Sequence, residues 1–345
     1  MATFRKRGER WRAEIVRKGK RESQTFDTKA QARAWADEVE GEILSGKDGH
    51  RLTKKTLSDA LAQYSRDVSP TKEGALWEQI RLDKFSRTLP FANKLIWEIA
   101  PSEIAEWRDS RSKALVKGTT RRIKGSTIIR EMALLSSVFD IAVKEWGWLP
   151  ENPMSQVRKP RGEPARDRRI SAAEEAAMLQ VLGYDPASPP ESKFGRIALA
   201  FLFAIETAMR AGEICALTWQ HVHVDRRFVH IAKSKNGHPR NVPLSPKAIE
   251  ILGLLPRSKG DDFESSFGLQ TRTLDALWRR ARKRAETELP SIATLHFHDT
   301  RHEAITRLAR KIDVLDLARM TGHRDLKTLR GYYNATAEDI AKLLS

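Results

Sequence analysis

Four prolines within fifteen residues, Pro150, Pro153, Pro160 and Pro164, forbid a long helix or a central strand across the middle of this chain. Each removes a backbone donor and biases the residue before it away from helical geometry. Arg158, Lys159, Arg161, Arg166, Arg168 and Arg169 stand among and after them, so the segment reads as an extended basic linker. The 345 residues therefore divide into parts long enough to hold separate cores. Beyond the linker, nine consecutive apolar residues from Ile197 to Ile205 predict a buried helix. That run is about half of the ~18 a membrane span needs.

Ahead of the linker the pattern is helical. Ile128, Met132, Leu135, Phe139, Ala142 and Trp146 repeat at helical spacing from Thr127 to Trp146. Leu57, Leu61 and Tyr64 mark an earlier helix, Leu76, Ile80 and Phe85 a second, and Ile104 and Trp107 a third. Lys47-Asp-Gly-His-Arg reads as a shorter connection. Before it, Trp11, Ala13 and Ile15 alternate as in a strand, Arg17-Lys-Gly-Lys makes a turn, and Thr28 caps a helix carrying Ala32, Trp35, Val39 and Ile43. After Arg169, Ser171 and Glu174 form a capping box. Short strands at 221–225, 228–232 and 241–244 follow, with Asn236-Gly237 as a turn, and the remainder is helical. The expected fold is mainly α with small β-sheets, a multidomain α+β chain divided as 1–50, 51–160 and 161–345.

Charge adds a partner. Lys and Arg outnumber Asp and Glu to give a formal net charge of +17, and the excess is segmented. The first 26 residues hold nine Lys or Arg against three Glu, including Arg5, Arg12, Lys18 and Lys20. Lys117 to Arg130 carries five basic residues and no acid, with Arg121, Arg122, Lys124 and Arg130 leading into a helix N-terminus that suits phosphate. The linker adds Arg158, Lys159 and Arg161, and Arg279 to Arg284 adds a further run. These predict double-stranded DNA as the partner; a generally basic surface is the plain alternative. Cys215 stands alone, so no internal disulfide forms, and the basic N-terminus carries no secretory signal. A cytoplasmic, nucleoid-associated protein is expected.

Six residues in the last 140 have contexts that suggest chemistry. Arg210 stands in the turn after the buried helix, with Glu213 placed to hold its guanidinium. Lys235 lies at a hairpin tip. His298 and Arg301 are three apart at a helix start. His323 follows a helix capped by Asp313, and Tyr332 lies nine residues beyond. Each has a plain reading as well. Arg210 could end a helix against its dipole, Lys235 could be solvated, and Tyr332 could be a core residue with Tyr333 as rival nucleophile. His296, His298 and His302 could gather a metal, but Arg301 between two of them would repel a cation. Trp219 reads as core.

Taken together the boxes Ala-Met-Arg210-x-Gly-Glu, Lys235-Asn-Gly, His298-x-x-Arg301, Gly322-His323 and Tyr332 resemble the tyrosine recombinase (phage integrase) family. Within it, they are similar to temperate-phage integrases and shufflon-type invertases. The resemblance covers about residues 52–340, where 51–160 matches a helical clamp domain and 161–345 the catalytic domain. Residues 1–50 resemble an arm-type DNA-binding module. It implies a site-specific recombinase that cuts and rejoins DNA through a 3′-phosphotyrosine and a Holliday junction, as a homotetramer on DNA, with no metal, cofactor or ATP. DNA-bending accessory proteins are further partners it allows. Arg210 and Arg301 would hold the phosphate, Lys235 protonate the leaving oxygen, His298 and His323 manage hydrogen bonds or the phenol proton, and Tyr332 attack. A type IB topoisomerase-like DNA relaxation enzyme and a non-catalytic DNA-binding regulator on the same fold are the alternatives. Three positions depart from the family pattern: Ala208 for a common glycine, Thr300 for leucine, and Leu329 for threonine. Gly331 should loosen the segment carrying Tyr332. A final helix capped by Thr336, presenting Ile340, Leu343 and Leu344, is implied to dock on a neighbouring subunit; packing on its own domain is the other reading.

Overall fold

The computed structural model describes residues 2–17, 20–45, 53–164, 166–232, 239–257, 264–323, 325, 326, 329, 331 and 332. Lys18, the side chain of Lys20, Lys235, the Asn236-Gly237 turn, Tyr333 and the segment 336–345 lie outside the described residues. The chain divides into two compact units, Met1–Ala165 and Arg166–Ser345. The division falls just past the last of the four prolines.

The first unit contains two separate hydrophobic clusters. In one, strands β1 (Ala2–Arg7), β2 (Arg10–Arg17) and β3 (Lys20–Phe26) form an antiparallel sheet in that order, followed by helix α1 (Lys29–Ser45). Thr28 and Gln31 exchange capping hydrogen bonds at 3.2 Å. The strand period of two sends Ala13 and Ile15 inward onto Ala32, Ala36 and Val39, and leaves Arg5 opposite Arg12 on the other face.

The second cluster packs helices α2 (Leu57–Asp67), α3 (Ala75–Thr88), α4 (Pro101–Lys113) and α5 (Gly125–Lys144). The expected stripe on α5 is buried from Ile128 through Ala142; Trp146 lies past the helix end, with its ring 4.8 Å from that of Trp148. On α3 the expected stripe is wrong. Leu82 and Phe85 are buried, whereas Leu76 and Ile80 are exposed, as is Trp77. At 100° per residue, Ile80 and Phe85 point about 140° apart, so they cannot share a face. The core stripe runs instead through Glu78, Leu82 and Phe85, with Glu78 paired to Lys72 at 2.9 Å.

The second unit is built around α7 (Lys193–Thr207), whose residues Ile197 to Ile205 are all buried. The Ser171 capping box opens α6 (Ala172–Val181). After α8 (Ala211–Cys215) comes an antiparallel sheet of β4 (Val222–His223), β5 (Phe228–Ile231) and β6 (Arg240–Pro243). Helices α9 (Pro246–Gly253), α10 (Thr271–Ala285), α11 (Asp299–Leu308) and α12 (Val314–Thr321) complete the unit. Trp278, Phe201, Phe203 and Phe267 fill its centre, and Trp219 is buried as expected. Among the described residues no helix is long and apolar enough to cross a membrane.

Candidate active site

Helix α7 stops at Ala208, which takes a left-handed backbone (φ 55°). This is the position where the family commonly has glycine, and the positive φ is the physical reason. The turn delivers Arg210 as the cap of α8. Glu213, one turn in, accepts a hydrogen bond from the Arg210 backbone N–H and another from its Nη1, each at 2.9 Å. The expectation that Glu213 holds this guanidinium is met in the geometry, but Glu213 holds a second one. Arg240, the first residue of β6, donates Nη1 and Nη2 to the same carboxylate at 3.0 and 2.8 Å, and its Nε to the Met320 carbonyl at 2.9 Å. Burial works against the Glu213 charge, yet the Arg240 hydrogen bonds and the Arg210 contacts hold its pKa down at about 2.

Arg240 is the residue sequence reasoning missed. A signal existed: at a period of two it shares the inward face of β6 with buried Val242. It also explains the glycine of the Gly322-His323 box. Gly322 ends α12 in the left-handed region (φ 74°), and a Cβ there would press on the Arg240 side chain.

Arg301 is 4% exposed in the first turn of α11. Its Nη1 donates to the Ala208 carbonyl at 2.6 Å and its Nη2 to the Thr321 carbonyl at 2.7 Å, with His323 Nε2 at 3.5 Å. These partners are neutral. Burial, and then the nearby Arg210 charge, lower the Arg301 pKa to about 9. A buried guanidinium bonded to carbonyls and set beside two further arginines makes a pocket short of negative charge.

His323 lies under the same influence. Burial and the charges of Arg301, Arg210 and Arg240 push its pKa to about 4, so it is neutral at pH 7. The Thr321 hydroxyl donates to the Leu317 carbonyl at 2.6 Å, so at 2.7 Å it accepts from His323 Nδ1. That assignment leaves the Nε2 lone pair facing Arg301. Tyr332 is half-buried; burial raises its pKa, Arg301 lowers it and Asp167 raises it. Arg210, Arg301, His323 and Tyr332 are thus brought together around one cationic centre. His298 caps α11 and is exposed. His296, His298 and His302 do not gather: among the described residues no group of three His, Cys, Asp or Glu is placed to hold a metal.

The basic segments have two fates. Arg5, Arg121, Arg122, Lys124, Arg130, Arg158, Lys159 and Arg161 are exposed, and Arg12 is half-buried, bonded to Ser23 at 2.8 Å. The α5 N-terminus, expected to be open to phosphate, is occupied instead. The Glu163 carboxylate accepts from Gly125 N at 2.9 Å and Ser126 N at 3.2 Å. Hydrogen bonding from Ser126 leads the causes that hold its pKa down at about 2. The linker also needs correction beyond Arg161. Arg166 forks onto Asp299 at 2.6 and 2.8 Å, Arg168 bonds Glu174 at 2.8 Å, and Arg169 forks onto Glu303 at 2.7 and 3.0 Å. Those three carboxylates are buried, and a buried carboxylate needs a cation.

The phage integrase family model matches residues 168–339. A Haemophilus influenzae protein named integrase/recombinase is 40% identical over 337 residues, 97% of this chain and 87% of that protein. The chain belongs to the phage integrase family. It is a DNA breaking–rejoining enzyme, a tyrosine recombinase. The shufflon-specific DNA recombinase of Escherichia coli is 36% identical over 298 residues, 85% of this integrase-family chain and 73% of that protein. In fold it is similar to lambda integrase, solved as a dimer bound to a COC′ core site, with a TM-score of 0.60 and 20% identity over 96% of this chain and 94% of that one. Lambda integrase has also been solved as a tetramer bound to a Holliday junction, where the TM-score is 0.58 at 19% identity, covering 93% of this chain and 95% of that one.

Proposed function

We propose that this recombinase cuts DNA by in-line attack of the Tyr332 hydroxyl on a backbone phosphodiester. The products are a 3′-phosphotyrosine and a free 5′-hydroxyl. Arg210 and Arg301 hold the two non-bridging oxygens, and the excess of positive charge in the pocket around Arg301 is the observation that carries this assignment. A phosphodiester supplies the negative charge that this pocket lacks, and charge building on its oxygens in the transition state is stabilised by donors already fixed in place. Neutral His323, with Nε2 as acceptor, manages the phenol proton. His298 adds a hydrogen bond at the same centre, and Lys235 protonates the departing 5′ oxygen. Glu213 positions the arginines. The phosphotyrosyl bond conserves the energy of the broken linkage, so rejoining needs neither metal nor ATP.

Two such rounds exchange strands through a Holliday junction in a tetramer on double-stranded DNA. The likeness to lambda integrase supports this assembly, with DNA-bending accessory proteins as further partners. In this reading residues 1–50 serve as arm-type module, 51–160 as clamp and 161–345 as catalytic domain with its docking helix. The exposed residues Arg5, Arg121, Arg122, Lys124, Arg130, Arg158, Lys159 and Arg161, together with Arg12, Lys18 and Lys20, are assigned to DNA contact in the cytoplasm, on the nucleoid. The test is a nicked suicide substrate carrying a site selected from random duplex by the protein itself. The wild-type chain and Tyr333→Phe are expected to form a covalent adduct, and Tyr332→Phe none. An adduct formed at the wild-type rate by Tyr332→Phe overturns the assignment.

A further inference from the structure

His302 follows Arg301 on α11 and has no role in the scheme above. Its ring lies against that of Tyr332, with centroids 4.7 Å apart and planes inclined at 56°. On its far side, Nε2 meets the Asp167 carboxylate at 3.0 Å. Its other nitrogen, Nδ1, is buried and has no hydrogen-bond partner among the described residues. Such an orphaned polar atom costs about 1–3 kcal/mol, so the ring is held by its Nε2 contact with Asp167 and its packing on Tyr332, not by Nδ1.

Asp167 is well placed to hold it. Its neighbours Arg166 and Arg169 fork onto Asp299 and Glu303, which stand on α11 either side of His302. The backbone carrying Asp167 is therefore laced to the same helix from both sides. An acceptor at Nε2 fixes the imidazole's rotation and places its proton there. Tyr332 has weaker local support. It follows Gly331, its backbone N–H bonds Leu329 at 2.9 Å, and its ring otherwise packs with the small cluster of Leu329, Ala304, Ile305 and Leu317.

From this geometry we infer that His302, oriented by Asp167, is a positioning residue that seats the ring of Tyr332 beside Arg301. The inference rests on Tyr332 being the attacking residue. Its content is the seat: a planar side chain on α11 held by a carboxylate from the start of the catalytic unit. The nitrogen that faces away from Asp167 does no proton transfer in this account, because no hydrogen bond joins it to the phenol.

Single-turnover cleavage of the nicked substrate at saturating DNA, measured beside the DNA Kd and Tm, tests it. Misplacing a reacting group by about 1 Å costs ~10²-fold, so His302→Ala is expected to cleave ~30- to 100-fold more slowly. Asp167→Ala, which frees the ring's rotation without removing it, should lose about 3- to 10-fold by the same reasoning. DNA Kd is expected to stay at the wild-type value in both. His302→Phe keeps a planar ring and is expected to recover most of the rate lost by the alanine variant. If His302→Ala does not fold, Asp167→Ala and His302→Phe carry the test alone. Wild-type cleavage by Asp167→Ala together with His302→Ala or, if that does not fold, by Asp167→Ala alone overturns the seat. A His302→Phe variant that folds and binds DNA yet cleaves no faster than His302→Ala, or ~10-fold or more below wild type, also overturns it, in favour of proton transfer by the imidazole. Failure of the underlying assignment shows separately, as an adduct in Tyr332→Phe.

Discussion

Arg158, Lys159 and Arg161 are exposed, whereas Arg166, Arg168 and Arg169, a few residues on, each bind a carboxylate that is 3–7% exposed. Each stretch holds three basic residues within four positions, and they stand on either side of Pro164. They differ in what stands opposite them. The first three face water; the second three neutralise Asp299, Glu174 and Glu303, which the second unit buries. The count of 62 Lys and Arg therefore overstates the cations left for DNA, although the net +17 already includes the paired acids, and the linker should be divided at about residue 165. A third kind of arginine completes the comparison: Arg301 is as buried as the carboxylates, but among the described residues its hydrogen-bond partners are carbonyls and a histidine.

Substitutions should separate these three kinds. Arg301→Lys keeps the charge and loses the fork, so cleavage at saturating DNA should fall by ~10²–10³. Its salt dependence of binding should stay as in the wild type. Equal cleavage by the lysine variant would show that charge alone matters at that position. Arg166→Ala leaves buried Asp299 without its cation and is expected to cost about 3 kcal/mol of stability, read from urea unfolding. Arg161→Ala should change stability by less than about 0.5 kcal/mol. If both cost the same, the division of the linker is wrong.

Acid gives a further handle on the paired group. Glu213 and Glu303 are both held near a pKa of about 2, against 4.5 for an ordinary glutamate. For Glu303, burial opposes the charge while hydrogen bonds from Arg169 and Arg307 sustain it. The unfolded chain binds these protons first as pH falls. The stabilisation is therefore whole above about pH 4.5, fades between 4.5 and 2, and is gone below. It amounts to at most about 3 kcal/mol for each residue. Urea midpoints at pH 6 and pH 3.5 should differ in the wild type and differ less in Glu303→Gln. Smaller still, glutamine at Arg158, Lys159 and Arg161 should flatten the dependence of log K on log salt by ~0.9 for each phosphate no longer neutralised. Ala208→Gly should change stability by no more than about 1 kcal/mol, because relief of the left-handed backbone is offset by chain entropy.

The legible parts of the fold were those set by local spacing. The stripe on α5, the capping box at Ser171 and the alternation at Ala13 and Ile15 follow from periodicity alone. The stripe on α3 was misread because two residues four apart were joined to a third five away, which turns through the wrong angle. Of the six candidate residues, four converge in the structure; they were legible from the short motif around each one, while their convergence is tertiary, made where Arg301 reaches the Ala208 and Thr321 carbonyls. The inward place of Arg240 on β6 could have been read, but its pairing with Glu213 and the pairs of Arg166, Arg168 and Arg169 could not. Glu213 lies 27 residues before Arg240, and Asp299 lies 133 beyond Arg166, so no local pattern joins them. The same holds for Glu163, which fills the α5 N-terminus from 38 residues away.

In the proposed reaction Tyr332 carries the covalent bond to DNA. The most direct measurement is to trap the adduct on the nicked substrate, digest protein and DNA, and locate the nucleotide-modified peptide by mass spectrometry. The modification is expected on Tyr332, with Tyr333 unmodified in the same peptide. Modification on Tyr333, or on any serine or other hydroxyl of the chain, would contradict it.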